Sequence, residues 1–78
     1  MTDRELLEQY VDENSHAAFA AIVDRYVGLV YSAALRQVRE PALSEDICQA
    51  VFLILARKAK SLQPGVILPG WLIRTTHL

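Results

Sequence analysis

The residues whose types could support chemistry are few, and their spacing does not form a catalytic site. His16 and His77 lie near opposite ends of the 78-residue chain, and neither has a suitable nucleophile beside it. The glycines are too widely spaced for a phosphate-binding loop, and no cysteine and histidine residues have the spacing of zinc ligands. The adjacent Glu45 and Asp46 are explained by a helix start, where carboxylates meet the positive end of the helix dipole. We therefore expect neither an enzyme nor a bound metal or cofactor.

The side chains best suited to binding a partner lie in the segment 41–58, which reads PALSEDICQAVFLILARK. Pro41 separates this segment from the preceding helix, and Ser44 is a good N-cap residue. At 100° per residue, a core stripe is predicted around Ile47, Val51, Ile54 and Leu55. Two hydrogen-bonding and two large apolar side chains then fall on the outer side: Asp46, Gln49, Phe52 and Leu53. Helical periodicity leaves open whether Phe52 and Leu53 are covered by other helices of the same domain or by a partner.

Acidic and basic residues are segregated along the chain. Residues 1–56 carry nine acidic and four basic side chains, whereas residues 57–78 carry four basic side chains and no acidic one. The net charge is therefore −5 for the first part and +4 for the second, which gives −1 overall. Such a chain can meet a basic partner at one end and a polyanion at the other. The basic residues of the second part are Arg57, Lys58, Lys60 and Arg74.

Four helical segments that could position these residues are predicted. A short helix capped by Asp3 runs to about Val11, and a long one capped by Ser15 runs to about Arg39. The third helix is the segment 41–58, extended to about Lys60. A loop over 61–70 carries Pro-Gly breakers and is followed by a fourth helix over 71–78, which the end of the chain truncates. The predicted fold is all-α, a compact bundle of three to four helices forming one domain over 1–78, itself a fragment of a longer protein.

The composition indicates a small intracellular domain. An apolar fraction of 53% with 22% charged residues is typical of a globular chain. The single cysteine, Cys48, cannot form an internal disulfide and is expected to be a buried structural thiol. The first ten residues do not read as a signal peptide, and the apolar run over 50–56 is too short to span a bilayer. We therefore expect a cytoplasmic location and no membrane partner.

Four pieces of the chain, in order, resemble region two of bacterial sigma factors of the extracytoplasmic-function type. They are ELLEQYV, AFAAIVDRYVGLVYSAALR, SEDICQAVFLILARK and WLIRTT. The resemblance covers essentially the whole chain. It implies a domain that directs RNA polymerase to promoters, by binding a coiled-coil clamp of the largest subunit and by opening the minus-ten element. The family's second domain, which reads the minus-thirty-five element, is absent from this chain.

The resemblance also assigns roles to residues. Those matching the polymerase contact are Asp46 and Gln49, with Phe52 and Leu53 beside them. Those in the stretch that faces promoter DNA are Arg57, Lys58, Lys60, Arg74, Thr75 and His77. Many family members have Glu where this chain has Ala50, so one polar clamp contact is missing or replaced. An anti-sigma protein is a further partner that the family implies.

Two alternatives remain open at this point. The first is a helical interaction module without a role on DNA, such as an adaptor or a homodimer, which would use the spare apolar surface. The second is a helix-turn-helix DNA reader, formed by the third and fourth helices. Its loop is too long for the tight turn that this motif needs, so we rank it last.

Overall fold

The computed structural model describes residues 1–77 and contains four α-helices. They are α1 (Asp3–Glu13), α2 (His16–Val38), α3 (Pro41–Lys58) and α4 (Leu68–Thr76), with a 3₁₀ turn at Ala59–Ser61 after α3. The central helix is α2, which packs against each of the other three and most extensively against α3. The predicted all-α bundle is confirmed.

The bundle is built around a continuous apolar core. Its buried members come from every α-helix and include Leu6, Ile22, Leu55 and Leu72. By length and composition alone, α2 could cross a membrane. Its Ile22, however, lies in the core, as do the side chains of Val30 and Ala34, so its apolar character is that of the central helix of a bundle.

The first two helices begin at side-chain caps. Thr2, rather than the predicted Asp3, caps α1: its hydroxyl accepts from the Glu5 amide, and the Glu5 carboxylate accepts from the Thr2 amide. This reciprocal capping box leaves Asp3 free to bind elsewhere. Ser15 caps α2 as predicted, by accepting from the amide of Ala18.

Asp3 connects α1 to α2 through side-chain hydrogen bonds. Its carboxylate accepts from Arg25 Nη1 at 2.8 Å and from the Tyr26 hydroxyl at 2.5 Å. Arg25 Nη2 also donates to the Met1 carbonyl at 2.8 Å. Burial, followed by the hydrogen bond to Asp3, raises the pKa of Tyr26.

The predicted cap of α3 is wrong. The helix begins at Pro41, whose missing N–H is no loss in the first turn, and Glu40 is the N-cap residue without a side-chain bond. Ser44 is inside the helix and fully buried, and its hydroxyl donates to the Glu40 carbonyl at 2.8 Å. The sequence rule favoured Ser44 because a serine followed by two acids is typical of a helix start, but Pro41 supplies that start one turn earlier.

The start of α4 also differs from the prediction. Pro69 and Gly70, expected to end the loop, lie in the first turn of α4, which begins at Leu68. Proline is compatible with this position because the first-turn amides have no partner within the helix. The helix ends at Thr76, and Leu78, which was predicted to lie in it, is outside the described residues.

Candidate interaction surfaces

The buried side of α3 differs from the predicted core stripe. The buried residues on this helix are Ser44, Cys48, Val51, Phe52 and Leu55. On a helical wheel they centre about 80° away from Ile47, on the Cys48 side. Ile47 and Ile54 are half-buried. The exposed side of α3 is therefore rotated relative to the predicted outer side, and this rotation determines which of the predicted contact residues are accessible.

Three of the four predicted polymerase-contact residues are exposed, and one is not. Asp46 and Gln49 are exposed, and Leu53 keeps 53% of its surface accessible. Phe52 is only 7% exposed and belongs to the core. Of the two alternatives left open for Phe52, its burial supports coverage by other helices of the same domain, and its contact with polymerase stays a prediction.

A shallow apolar depression runs between α2 and α3 beside these residues. We call it the α2–α3 groove. Its lining is almost entirely apolar, and Gln49 lies at its edge. Val27 of α2 is 43% exposed here. The other lining residues are Phe19, Val23, Cys48, Phe52, Leu53 and Ala56.

The thiol of Cys48 lies under this groove. The residue is buried, as predicted, and burial raises the pKa of its thiol, with Glu45 adding to the effect. A thiol that resists ionisation is a poor nucleophile and a poor metal ligand. Within residues 1–77, no three His, Cys, Asp or Glu side chains come together as metal ligands.

The predicted DNA-contact residues form two groups. Arg57, Lys58 and Lys60 are exposed at the C-terminal end of α3 and in the 3₁₀ turn. The positive charges of Arg57 and Lys58 suit the C-terminal end of α3, which is the negative end of the helix dipole. Arg57 and Lys60 line one cavity, together with Tyr10 and Asn14 of the α1 end.

The second group lies at the end of α4. Arg74 and His77 are exposed. The Thr75 hydroxyl donates to the Trp71 carbonyl at 2.8 Å, so it is already used within the helix. Gln37 Nε2 donates to the Thr76 carbonyl at 3.1 Å and thereby fixes this end of α4 to α2.

The loop over 62–67 lies between the two groups. A hydrogen bond from the Val66 amide to the Gln63 carbonyl closes a turn around Pro64. Two neighbouring apolar residues at the end of this loop are placed differently. Leu68, the first residue of α4, is 1% exposed, whereas Ile67 is 75% exposed.

A cleft separates the loop from α1. Its floor is apolar, whereas its α1 rim carries carboxylates and its opposite rim carries Lys60. The carboxylates belong to Asp3, Glu8 and Asp12. No sequence pattern predicts this cleft or the α2–α3 groove, since each depends on how separate segments lie against one another. The contributions of Val27 to the groove and of Tyr10 and Asn14 to the cavity beside Arg57 were missed for the same reason.

Comparison with known proteins identifies the family. The Sigma-70 region 2 family model matches residues 22–78. Sigma factors named SigK from Mycobacterium sp. strains KMS, JLS and MCS are each 36% identical over 77 residues, which is 97% of this chain and 40% of theirs. The chain thus spans about two fifths of the length of these curated relatives. No solved structure matches the chain significantly. The predicted resemblance to region two of extracytoplasmic-function sigma factors is confirmed, and the chain belongs to the Sigma-70 region 2 family.

Proposed function

We propose that this chain acts in transcription initiation as the sigma-factor domain that joins RNA polymerase to the promoter minus-ten element. The observation that carries the proposal is the arrangement of α3. Asp46, Gln49 and Leu53 are exposed beside an apolar groove, and Arg57 and Lys58 follow at the end of the same helix. One helix therefore offers a mixed docking surface and, beyond it, a cationic surface.

The docking surface suits a coiled coil of the polymerase clamp. A coiled coil presents a ridge with charged residues beside apolar ones. The groove of this chain is apolar with Gln49 in its lining, and Asp46 is exposed about one turn before Gln49 on α3. A carboxylate in this position favours a basic partner, and Leu53 offers apolar area to be buried. Ala50 is exposed on the same side and adds no polar contact.

The cationic surface suits nucleic acid. Arg57, Lys58 and Lys60 are exposed in a part of the chain without acidic residues. Such side chains neutralise phosphates and give binding that weakens with salt. Base recognition needs pockets as well as charge, and the loop over 62–67 is the segment in which we expect unpaired minus-ten bases to bind.

Charge-reversal variants test the polymerase contact. Binding of the 78-residue chain to a recombinant clamp coiled coil should weaken at least tenfold in Asp46→Lys and several-fold in Gln49→Ala. Asp24→Lys is the control, because Asp24 is also exposed but lies on α2 and not on the side of α3 that carries Gln49 and Leu53. Equal binding by the wild type and all three variants would contradict the proposed contact face.

A homodimer is the second candidate, since it would also cover exposed Val27 and Leu53. Sedimentation velocity across a hundredfold range of concentration tests it. A constant monomer mass would exclude self-association through the groove, whereas a dimer that dissociates in Leu53→Ala would support it.

The proposal carries further expectations. The domain works in the cytoplasm and is regulatory rather than catalytic. An anti-sigma protein would act by covering the α2–α3 groove, in competition with polymerase. A pull-down in which the clamp fragment and such a protein bind together would contradict this competition.

A further inference from the structure

Two cations of the proposed DNA surface share a cavity with the end of α1. We call it the α1–α3 cavity. Arg57 and Lys60 lie on one side of it, and Tyr10 and Asn14 lie on the other. The small residues Val11, Ala56 and Ala59 form the rest of its wall. The resemblance to the family assigns no role to Tyr10 or Asn14.

The electrostatics of this cavity favour an anion. Among residues 1–77, the ion pairs join Arg4 to Glu8 and Arg25 to Asp3, so neither Arg57 nor Lys60 is paired with a carboxylate. No acidic residue lines the cavity. On the other side of Lys60, the α1 rim of the cleft carries Arg4 and three carboxylates, two of which are in those ion pairs, and its lining stays net negative through Asp12. A polyanion near Lys60 is therefore attracted towards Arg57 and repelled from the α1 rim of the cleft.

The Tyr10 ring and the backbone of Asn14 are held in fixed positions. The Tyr10 ring packs against Phe19 with centroids 4.8 Å apart and against His16 at 6.4 Å. Asn14 ends α1 in the left-handed conformation, with φ of 53°, and its backbone amide donates to the Gln9 carbonyl. Within the described residues, neither the Tyr10 hydroxyl nor the Asn14 side-chain amide makes a hydrogen bond to the protein.

We propose that the α1–α3 cavity is a subsite for one nucleotide of an unpaired DNA strand. Arg57 and Lys60 would bind its phosphate, and the Asn14 amide and the half-buried Tyr10 side chain would contact its base or sugar. Two cations, an amide and an aromatic side chain are the groups that single-strand binding uses together. The inference rests on the proposed function, and it adds that the strand next to the loop runs over the α3 side of α1 rather than along its acidic rim.

Salt-dependent binding separates the roles of these residues. The probe is a single-stranded oligonucleotide of about ten nucleotides, measured by fluorescence anisotropy with the 78-residue chain. Arg57→Gln should weaken binding several-fold and reduce the salt slope by about 0.7, the value for one lost phosphate contact on a single strand. Asn14→Gly should weaken binding about threefold with an unchanged slope. Glycine adopts the left-handed conformation readily, so this variant keeps the end of α1.

The control is Arg36→Gln, which removes an exposed cation that does not line the cavity. Its affinity for the oligonucleotide should fall less than twofold. Backbone amide shifts in ¹H–¹⁵N spectra should move at Tyr10 and Asn14 on adding the oligonucleotide. A duplex of the same sequence or inorganic phosphate that produced equal shifts would overturn the assignment to an unpaired strand.

Different experimental results would contradict this inference and the proposed function. If the wild type binds the oligonucleotide and its shifts lie only in the loop and α4, with Asn14→Gly binding like the wild type, the α1–α3 cavity is not a subsite and the DNA role stands. If the wild type binds no oligonucleotide at low salt, the DNA role and the subsite are both refuted.

Discussion

Leu53→Ala is the substitution that best separates docking from folding in this domain. Complete burial of a leucine side chain contributes about 1.5–3 kcal/mol, and Leu53 is 53% exposed. About half of that free energy, roughly 1 kcal/mol, is therefore still available to a partner that covers the side chain. Since 1.4 kcal/mol corresponds to a tenfold change in affinity, we expect the Kd for the polymerase clamp coiled coil to rise about five- to tenfold.

The matched control is Leu29→Ala. Leu29 is 41% exposed on α2 and does not line the α2–α3 groove, so the same atoms are removed from a comparable environment. Both variants should lose about 1 kcal/mol or less of the free energy of unfolding, because both side chains are only partly buried. Isothermal titration calorimetry gives the affinity, and urea unfolding followed by circular dichroism gives the stability. Equal clamp affinity of the two variants, at equal stability, would refute the assignment of the groove as the docking surface.

Three further substitutions test the packing that positions these surfaces. Leu55→Ala removes a fully buried side chain of α3 and should cost about 2–5 kcal/mol of unfolding free energy in a urea titration, with loss of every binding activity; a cost below 1 kcal/mol would contradict the described core. Ser44→Asp would be neutral if Ser44 capped α3, but it buries a charge inside the helix, so we expect it to cost about 3 kcal/mol or more by the same titration. The pKa of Tyr26 is raised in the folded protein, so this residue adds to the free energy of unfolding below pH 10. That contribution is lost as the pH rises through the pKa of Tyr26 in the folded state. Tyr26→Phe should therefore lose less stability than the wild type between pH 8 and pH 11, and parallel losses would contradict the raised pKa of Tyr26.

The helices were predictable because they depend on local periodicity and breakers, and their boundaries were less so because several residues compete for each cap. The predicted cap Ser15 is confirmed at α2, where the neighbouring Asn14 instead ends α1 in the left-handed conformation. Thr2 and Asp3 are both good caps, and the capping box with Glu5 decides between them. Pro41 and Ser44 compete in the same way at α3, where the proline prevails and the serine becomes buried.

The exposed residues of α3 were harder to predict than the helix itself. A wheel gives the angle between side chains but not the direction of the neighbouring helices, and the buried side of α3 is rotated by about 60° from the centre of the predicted core stripe. That rotation leaves Asp46 and Gln49 exposed and moves Phe52 into the core. The α1–α3 cavity brings Tyr10 and Asn14 next to the end of α3, more than 40 positions away in the sequence. No local sequence pattern predicts a contact between such distant residues.

The continuity of α3 has a mechanical consequence for the proposed function. Asp46 and Arg57 are 11 residues apart in one uninterrupted helix, which at 1.5 Å per residue separates them by about 16 Å along its axis. Leu53 and Arg57 are four residues apart and share one side of the helix. A polymerase clamp bound to the first part would therefore hold the cationic end, and the cavity beside it, at a fixed distance and rotation. Since this coupling needs no rearrangement within α3, substitutions in the docking surface should leave the intrinsic DNA affinity of the isolated domain unchanged and impair promoter binding only in the complex.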